Sequence, residues 1–399
     1  MAGLAPSVVV SGEGARLVRE RGVLNIYSKW VKPLSPGIRA GEVVVVEDEE
    51  GDLLGCGFYD TVGPVRVRLV ELWECRHREP WDIIVSGIES ALKARRVAGI
   101  IDGWEAYRLV HSDGDSMPGL IVDVYGDLAV YQSSSIVWDT YSSFIAEALK
   151  EVVDVRNIYE KSDQRTRREI GLAPRERLVA GATATTIIEE DGVKMLVDPR
   201  SGQKTGLFLD QRVNRVDFGK MAEGIVLDLF SYSGGFGLHA LVNGGAERVV
   251  FVEEDEEAVR MLRENLRMNR VEEKARIVKG DAWTFIHRAI ARRERYNGVV
   301  VDPPAFIPRP DVYERGRRAY ARLYHYAARL AAREGLLFLS SCSSHLARED
   351  YVNIVSEALA SARTAYNVIG GVRGAPPDHP IRPGAAYLDY LKSMFLVTF

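Results

Sequence analysis

Four acidic residues of this 399-residue chain stand where an open α/β sheet would hold a ligand. Asp228 lies near the end of the apolar run Ile225-Val-Leu-Asp-Leu-Phe230, and Glu253 closes Arg248-Val-Val-Phe-Val252. Asp281 follows Ala275-Arg-Ile-Val278 and Gly280, and Asp302 follows Gly298-Val-Val-Val301 and opens Asp302-Pro-Pro304. After Asp228 the run Ser233-Gly-Gly-Phe-Gly237 turns into a helix. Its spacing is not the GxGxxG of a pyrophosphate loop, and Asp228 is a poor neighbour for phosphate. An acid there suits a ligand with an amino group and a sulfonium cation. Gly234, Gly235 and Gly237 would let the backbone approach such a ligand, or would simply make a tight turn. Glu253 is placed to accept from ribose hydroxyls. Cys342, after the apolar strand Leu336-Leu-Phe-Leu339, is taken alone an ordinary small core residue.

The elements around these residues read as strands alternating with helices from about 196 onward. That pattern is a parallel sheet wound on both faces, with its ligands at the carboxyl ends of the strands. A helix is expected from about Glu256 to Arg267. Upstream, residues 8–71 read as short strands and turns, a small β-barrel. In it Val65, Val67 and Leu69 alternate with Arg66 and Arg68 as in a half-buried strand. Between the two lies an α+β segment, with helices at about Asp82 to Val97 and Tyr141 to Val152 and a strand at Leu120-Ile-Val-Asp-Val124. The expected domains are 1–72, 73–195 and 196–399.

Composition bounds the function. Hydrophobic residues make up 46% and charged residues 27%, with net charge −4, so the chain is globular rather than disordered, and nucleic-acid contact must come from local basic patches. No apolar run approaches the roughly 20 residues that cross a bilayer, and Met1 to Val10 does not read as a secretory signal. A cytoplasmic protein without a membrane partner is expected. Cys56, Cys75 and Cys342 are too few for a disulfide framework and show no metal-ligand spacing, so Cys56 and Cys75 are expected to be structural and no metal is expected.

Asp228-Leu-Phe-Ser-Tyr-Ser-Gly-Gly-Phe-Gly237, Glu253, Gly280-Asp281 and Asp302-Pro-Pro-Ala-Phe306 together resemble the class I S-adenosylmethionine-dependent methyltransferases. Further runs are similar to the large-subunit ribosomal RNA cytosine-5 methyltransferase I family, which carries an N-terminal PUA domain. They are Lys204-Thr-Gly-Leu-Phe-Leu-Asp-Gln-Arg212, Ser341-Cys-Ser343, Asp378-His-Pro380 and Met117-Pro-Gly-Leu-Ile-Val-Asp123. The resemblance implies S-adenosylmethionine as cofactor, held by Asp210-Gln211-Arg212, Asp228, Phe230, Ser231, Gly234, Gly235, Phe236, Glu253, Asp281, Ala282 and Asp302. Asp281 would face the adenine amino group. The chain departs from the family in reading Val252-Glu-Glu-Asp-Glu-Glu257, so Glu254 and Asp255 are alternatives to Glu253 for the ribose contact.

The resemblance also makes Cys342 the nucleophile and sets Asp302 against the target base, bordered by Pro303, Pro304 and Phe306. Cytosine C5 is too weak a nucleophile alone. A thiolate adding to C6 activates it, and a carboxyl at N3 and N4 stabilises the adduct. His345, Asp378, His379 or water would remove the C5 proton. RNA, ribosomal RNA first, is the expected partner, with a second copy of the chain as another. Phosphate contacts are expected from Lys161, Arg165, Arg167 and Arg168, and from Arg309, Arg315, Arg317 and Arg318 with Tyr313 and Tyr320 interleaved. Two rival readings stand beside this one. In the first, an exocyclic-amine methyltransferase works through Asp302-Pro-Pro-Ala-Phe306 with a structural Cys342. In the second, the chain is a non-enzymatic RNA-binding adaptor.

Overall fold

The computed structural model describes residues 6–33, 37–76, 79–202 and 204–399. The chain folds as two compact units that interleave in sequence. One comprises residues 1–186, 197–209 and 377–388, and the other residues 187–196, 210–376 and 389–399.

The first unit opens with β1 (Ser7–Val9), α1 (Gly12–Arg21), β2 (Asn25–Tyr27), β3 (Val43–Glu47), β4 (Leu53–Tyr59) and β5 (Val65–Leu72). They form a five-stranded sheet in the order β1-β3-β4-β5-β2. Helix α1 is a correction to the all-strand reading of this span. It buries Gly14, Ala15 and Val18 and ends at Gly22 in the left-handed conformation, φ 65°. Strand β5 is also not half-solvated: Arg68 is buried on the face opposite Val67, where Asp60 accepts its Nε at 2.8 Å. Cys56 and Cys75 are structural as expected, but through each other. The β4–β5 pairing sets Cys56 opposite Glu71, and the chain returns so that Cys56 and Cys75 form a disulfide. Two cysteines 19 residues apart suffice for a single staple, though not for a framework.

The unit continues through α2 (Pro80–Val97), β6 (Ala106–His111), β7 (Leu120–Tyr125), β8 (Leu128–Ser133), α3 (Ile136–Thr140), α4 (Ser142–Val153), β9 (Asn157–Ser162), α5 (Arg165–Glu169) and β10 (Arg175–Ala180). A second five-stranded sheet runs β10-β9-β8-β7-β6. Its helices α2 and α4 bury Ile84, Ile88, Ile145 and Leu149 against Leu109, Val122 and Tyr131.

The hairpin β11 (Thr186–Glu190) and β12 (Val193–Val197) leads into the second unit. There follow α6 (Arg212–Met221), β13 (Glu223–Leu229), α7 (Gly235–Val242), β14 (Gly245–Glu253), α8 (Glu256–Met268), β15 (Ala275–Lys279), α9 (Ala282–Ala291) and β16 (Tyr296–Val301). The chain ends with α10 (Tyr313–Leu330), β17 (Ala331–Ser341), α11 (Arg348–Ala362), β18 (Tyr366–Arg373) and β19 (Lys392–Thr398). The sheet order is β15-β14-β13-β16-β17-β19-β18. The five strands up to β17 are parallel, as the alternation of strand and helix predicts, while β19 and β18 add antiparallel. The central strands are fully buried at Leu227, Leu229, Val299, Val301, Leu337 and Leu339, which is why they read as continuous apolar runs. In register, Leu229 pairs with Val252 and Val301, and Val301 with Leu339, so these carboxyl ends lie side by side.

Candidate active site

The strand order dictates which acids meet. Asp228 on β13 is flanked by β14, which ends at Glu253, and by β16, which delivers Asp302. Asp228 is 1% exposed, and its Oδ2 accepts the Gly237 amide at 3.0 Å, closing the first turn of α7. Burial pushes its carboxyl up to about 8, the Gly237 amide opposes this, and the charges of Asp302 and Glu253 add to it. Three carboxyls gathered at these strand ends favour a cationic ligand over an anionic one.

The turn after β13 holds Phe230 and Tyr232 at φ 59° and 49°. Non-glycine residues there cost on the order of 1–3 kcal/mol each, so the surrounding fold imposes the conformation. Part of the hold is Glu253, whose Oε2 accepts the Tyr232 amide at 2.8 Å and whose Oε1 accepts the Glu254 and Asp255 amides, both at 2.9 Å. Asp255 is occupied as the N-cap of α8, through the Ala258 amide at 2.8 Å, and Glu254 is exposed. Ser231 Oγ is buried with no hydrogen-bond partner among the described residues. An orphaned hydroxyl near the buried Asp228 fits a polar cationic ligand such as S-adenosylmethionine. Asp281, exposed, caps α9 through the Thr284 amide at 2.8 Å, with Ala282 buried behind it.

The glycines have mainly a packing explanation. A Cβ at Gly237 would lie 2.2 Å from the Phe251 ring, and one at Gly234, where φ is 89°, would lie 2.3 Å from Leu262. At Gly235 it would meet Arg215 Cδ at 3.0 Å. Phe236 is core, tilted against Phe338 at 4.8 Å. These residues shape the turn and seat α7 on the sheet.

Asp302 is oriented by groups from three other elements. Gln211 Nε2 donates to its Oδ1 at 2.9 Å and to Ser340 Oγ at 3.1 Å, and Ser340 Oγ itself donates to Oδ1. Asn214 Nδ2 bonds Gln211 Oε1 at 2.7 Å and Ser393 Oγ at 3.1 Å, fixing the amide. Gln211 thus stands behind Asp302 as a positioning group. Asp210 Oδ2 accepts from Tyr390 at 2.8 Å. Arg212 is buried at 3.4 Å from Glu190, which also binds Arg215 at 2.7 Å and His239 at 3.0 Å. Burial works against the Glu190 charge, but Arg215, His239 and Arg212 together hold its carboxyl down at about 2. Glu190 escaped sequence reading because nothing local marks a hairpin end as the counter-ion of a helix more than 20 residues on.

Cys342 leaves β17 half-buried, its Sγ 3.8 Å from Pro303 O. The turn that carries it is stapled to the loop after β16: Ser343 Oγ accepts the Ile307 amide at 3.1 Å and bonds Tyr320 OH at 2.8 Å. Tyr320 OH accepts the Phe306 amide at 3.1 Å, and its ring packs on Phe306 at 4.7 Å. Pro303 is buried and Pro304 exposed. Lys392, 2% exposed and missed in the sequence, opens β19 opposite Ser341. Its Nζ donates to Ser343 O at 3.2 Å and Asp389 O at 2.7 Å, and burial pulls its pKa down.

The candidate RNA contacts divide. Of Lys161, Arg165, Arg167 and Arg168, the structure buries Lys161 and Arg167 away from any phosphate, while Arg165 and Arg168 are exposed. Arg167 is 1% exposed and bonds both Asp139 oxygens, Lys161 is buried against Glu176 at 2.6 Å, and Arg165 pairs with Glu169 at 2.7 Å. Arg317 pairs with Glu357 at 2.6 Å and Arg309 with Asp311 at 3.2 Å, while Arg315 and Arg318 are exposed. Tyr313 bonds Asp350, and Tyr320 is fully buried. Asp378 and His379 belong to the other compact unit, where Asp378 Oδ2 accepts the Arg108 amide at 2.9 Å and Oδ1 bonds His379 Nδ1 at 2.7 Å.

The raised Asp228 carboxyl yields a pH prediction. A folded-state value above the unfolded 3.8 makes the ligand-free fold progressively less stable from that pH up to about 8. A cation that binds ionised Asp228 must displace its proton below pH 8. Affinity for S-adenosylmethionine, measured by calorimetry, is expected to rise with pH by up to about tenfold per unit below that point. Asp228→Asn removes the slope; an unchanged slope assigns the proton to another group.

The chain is similar to known proteins in sequence and in fold. A family model described as Conserved hypothetical protein 95 matches residues 212–306, and one described as a PUA-like domain matches residues 9–71. The ribosomal RNA large subunit methyltransferase I of Tolumonas auensis is 32% identical over 387 residues, covering 94% of this chain and 96% of that protein. A candidate ribosomal RNA large subunit methyltransferase of Methanocaldococcus jannaschii is 33% identical, covering 90% of each. A candidate methyltransferase crystallised with SAH shares the fold at TM-score 0.81 and 20% identity, covering 98% of this chain and 100% of that one.

Proposed function

We propose, from the premise that the chain belongs to the ribosomal RNA large subunit methyltransferase I family, that it methylates C5 of a cytosine in large-subunit ribosomal RNA, with S-adenosylmethionine as cofactor. The observation that carries this reading is the pairing of Cys342 with Asp302 at the carboxyl ends of adjacent strands, joined by the Ser343–Tyr320–Phe306 staple. S-adenosylmethionine, when bound, supplies an electrophilic methyl group. Asp228 and Glu253 hold its charged and ribose portions, and Ser231 Oγ gains the partner it lacks.

Cys342 Sγ adds as thiolate to C6 of the ring, and the electron pair of the C5–C6 bond moves to make C5 nucleophilic. Asp302, oriented by Gln211 and Ser340, hydrogen-bonds the N3–N4 edge, where charge changes during addition. Lys392 holds the Ser343 carbonyl, so the thiol stays aimed during addition. The C5 proton then passes to His345, exposed three residues beyond Cys342, or to solvent, and the thiolate leaves. Labelled S-adenosylmethionine with total RNA from a relative lacking the activity tests the reading. Labelled 5-methylcytidine is the expected product. An N-methylated base would overturn it and move the chemistry to Asp302 and Phe306 without an adduct.

A further inference from the structure

Helix α10 starts seven residues after Phe306, at the loop that borders Asp302. Its buried side is Tyr320, Leu323, Tyr324 and Ala327. Arg315, Arg318, Arg322 and Arg329 are spaced by three, four and seven residues, which puts them on the opposite face, and all four are exposed. The row spans about 21 Å at 1.5 Å per residue. Among the described residues none of the four has a carboxylate in ion-pair range, whereas Arg165, Arg260, Arg267 and Arg317 each pair with a glutamate. Arg322 lies over the Trp283 and Tyr326 rings at 5.5 and 5.7 Å, so aromatic faces sit beside the charges.

The row does not stop at the helix end. Arg329 also lines an open groove of about 520 Å³ with Arg295, Arg333 and Arg363, at the amino ends of β16 and β17. These three are exposed and likewise have no carboxylate partner among the described residues. These seven exposed guanidinium groups, four along α10 and three around the groove that Arg329 shares, have no carboxylate partner among the described residues, and a polyanion would relieve their mutual repulsion. Guanidinium forks match phosphate oxygens in pairs, and the neighbouring rings offer stacking to unpaired bases.

We propose that the outer face of α10 is a track for the phosphate backbone of the RNA strand flanking the target nucleotide, leading from the loop at Asp302–Phe306 to the arginine groove. This rests on the RNA reading above. The RNA is held well beyond the reacting base, so the track governs affinity and not the chemical step.

The test is binding of a fluorescein-labelled single-stranded RNA of mixed sequence across a salt series, using the full-length protein. The variant carrying Arg315→Ala, Arg318→Ala, Arg322→Ala and Arg329→Ala is expected to lower the slope of log affinity against log salt by about 3, near 0.7 per lost phosphate contact. Arg267→Ala, removing an exposed arginine from α8, is expected to leave it unchanged. In methyl transfer the quadruple variant should raise KM with kcat retained, and S-adenosylhomocysteine binding should match wild type, confirming the fold. An unchanged slope, with the wild type binding RNA, overturns the track alone. A wild-type protein that binds no RNA at low salt overturns the RNA reading itself, and the track with it.

Discussion

Replacing Cys342 with alanine is expected to abolish methyl transfer to RNA, by on the order of 10⁴-fold or more, while S-adenosylhomocysteine affinity stays at the wild-type value. The expectation follows from where the thiol sits. Cys342 is half-buried and its Sγ donates to the Pro303 carbonyl at 3.8 Å, while the same turn is also stapled through Ser343, Tyr320 and Lys392. Losing one sulfur therefore leaves the turn and the acids of β13 and β14 in place. Single-turnover transfer from labelled cofactor gives the rate. A denaturing gel with RNA containing 5-fluorocytosine gives the adduct, which wild type should trap and the variant should not. Turnover by Cys342→Ala at the wild-type rate would falsify the covalent route.

The second large effect belongs to Asp302. Asp302→Asn is expected to lower kcat by about 10²–10³, the usual loss when one pre-oriented group facing developing charge is removed. Gln211 Nε2 and Ser340 Oγ both donate to Oδ1, and an asparagine oxygen still accepts them, so that anchor is kept while the charge and the second acceptor oxygen are lost. A second readout separates chemistry from simple damage. Asp302 is one of the charges that push the Asp228 carboxyl up, so its neutralisation moves the pH dependence of S-adenosylmethionine binding toward lower pH. Unchanged kcat would remove Asp302 from the reaction, and a lost fold would appear as lost cofactor affinity.

Much of the site was legible because it is built from strand ends. An apolar run followed by an acid is a local pattern, and in a parallel sheet that pattern fixes where the acid stands. Asp228, Glu253 and Asp302 each end or follow such a run, and strand register sets them near one another. The glycines were legible as a turn but were read for an additional purpose. Gly237 is small because Phe251 lies under it on another strand, which spacing cannot reveal.

The arginines show the limit most clearly. As letters, Arg165, Arg167, Arg315, Arg317 and Arg318 are interchangeable, and charge patterning offers all of them to RNA. Tertiary structure buries Arg167 on Asp139 and turns Arg317 to Glu357, while Arg315 and Arg318 face outward. Helical periodicity orders residues around an axis, but the partner across that axis comes from a distant segment. The same holds for Glu190, Lys392 and the Cys56–Cys75 link. The sequence alone determined the sheet, the acids at its edge and the thiol beside them, because these depend on neighbours within a few residues. Which charges are neutralised, which cysteines pair and what orients Asp302 depend on contacts between segments far apart in the chain, and these only the folded structure decides.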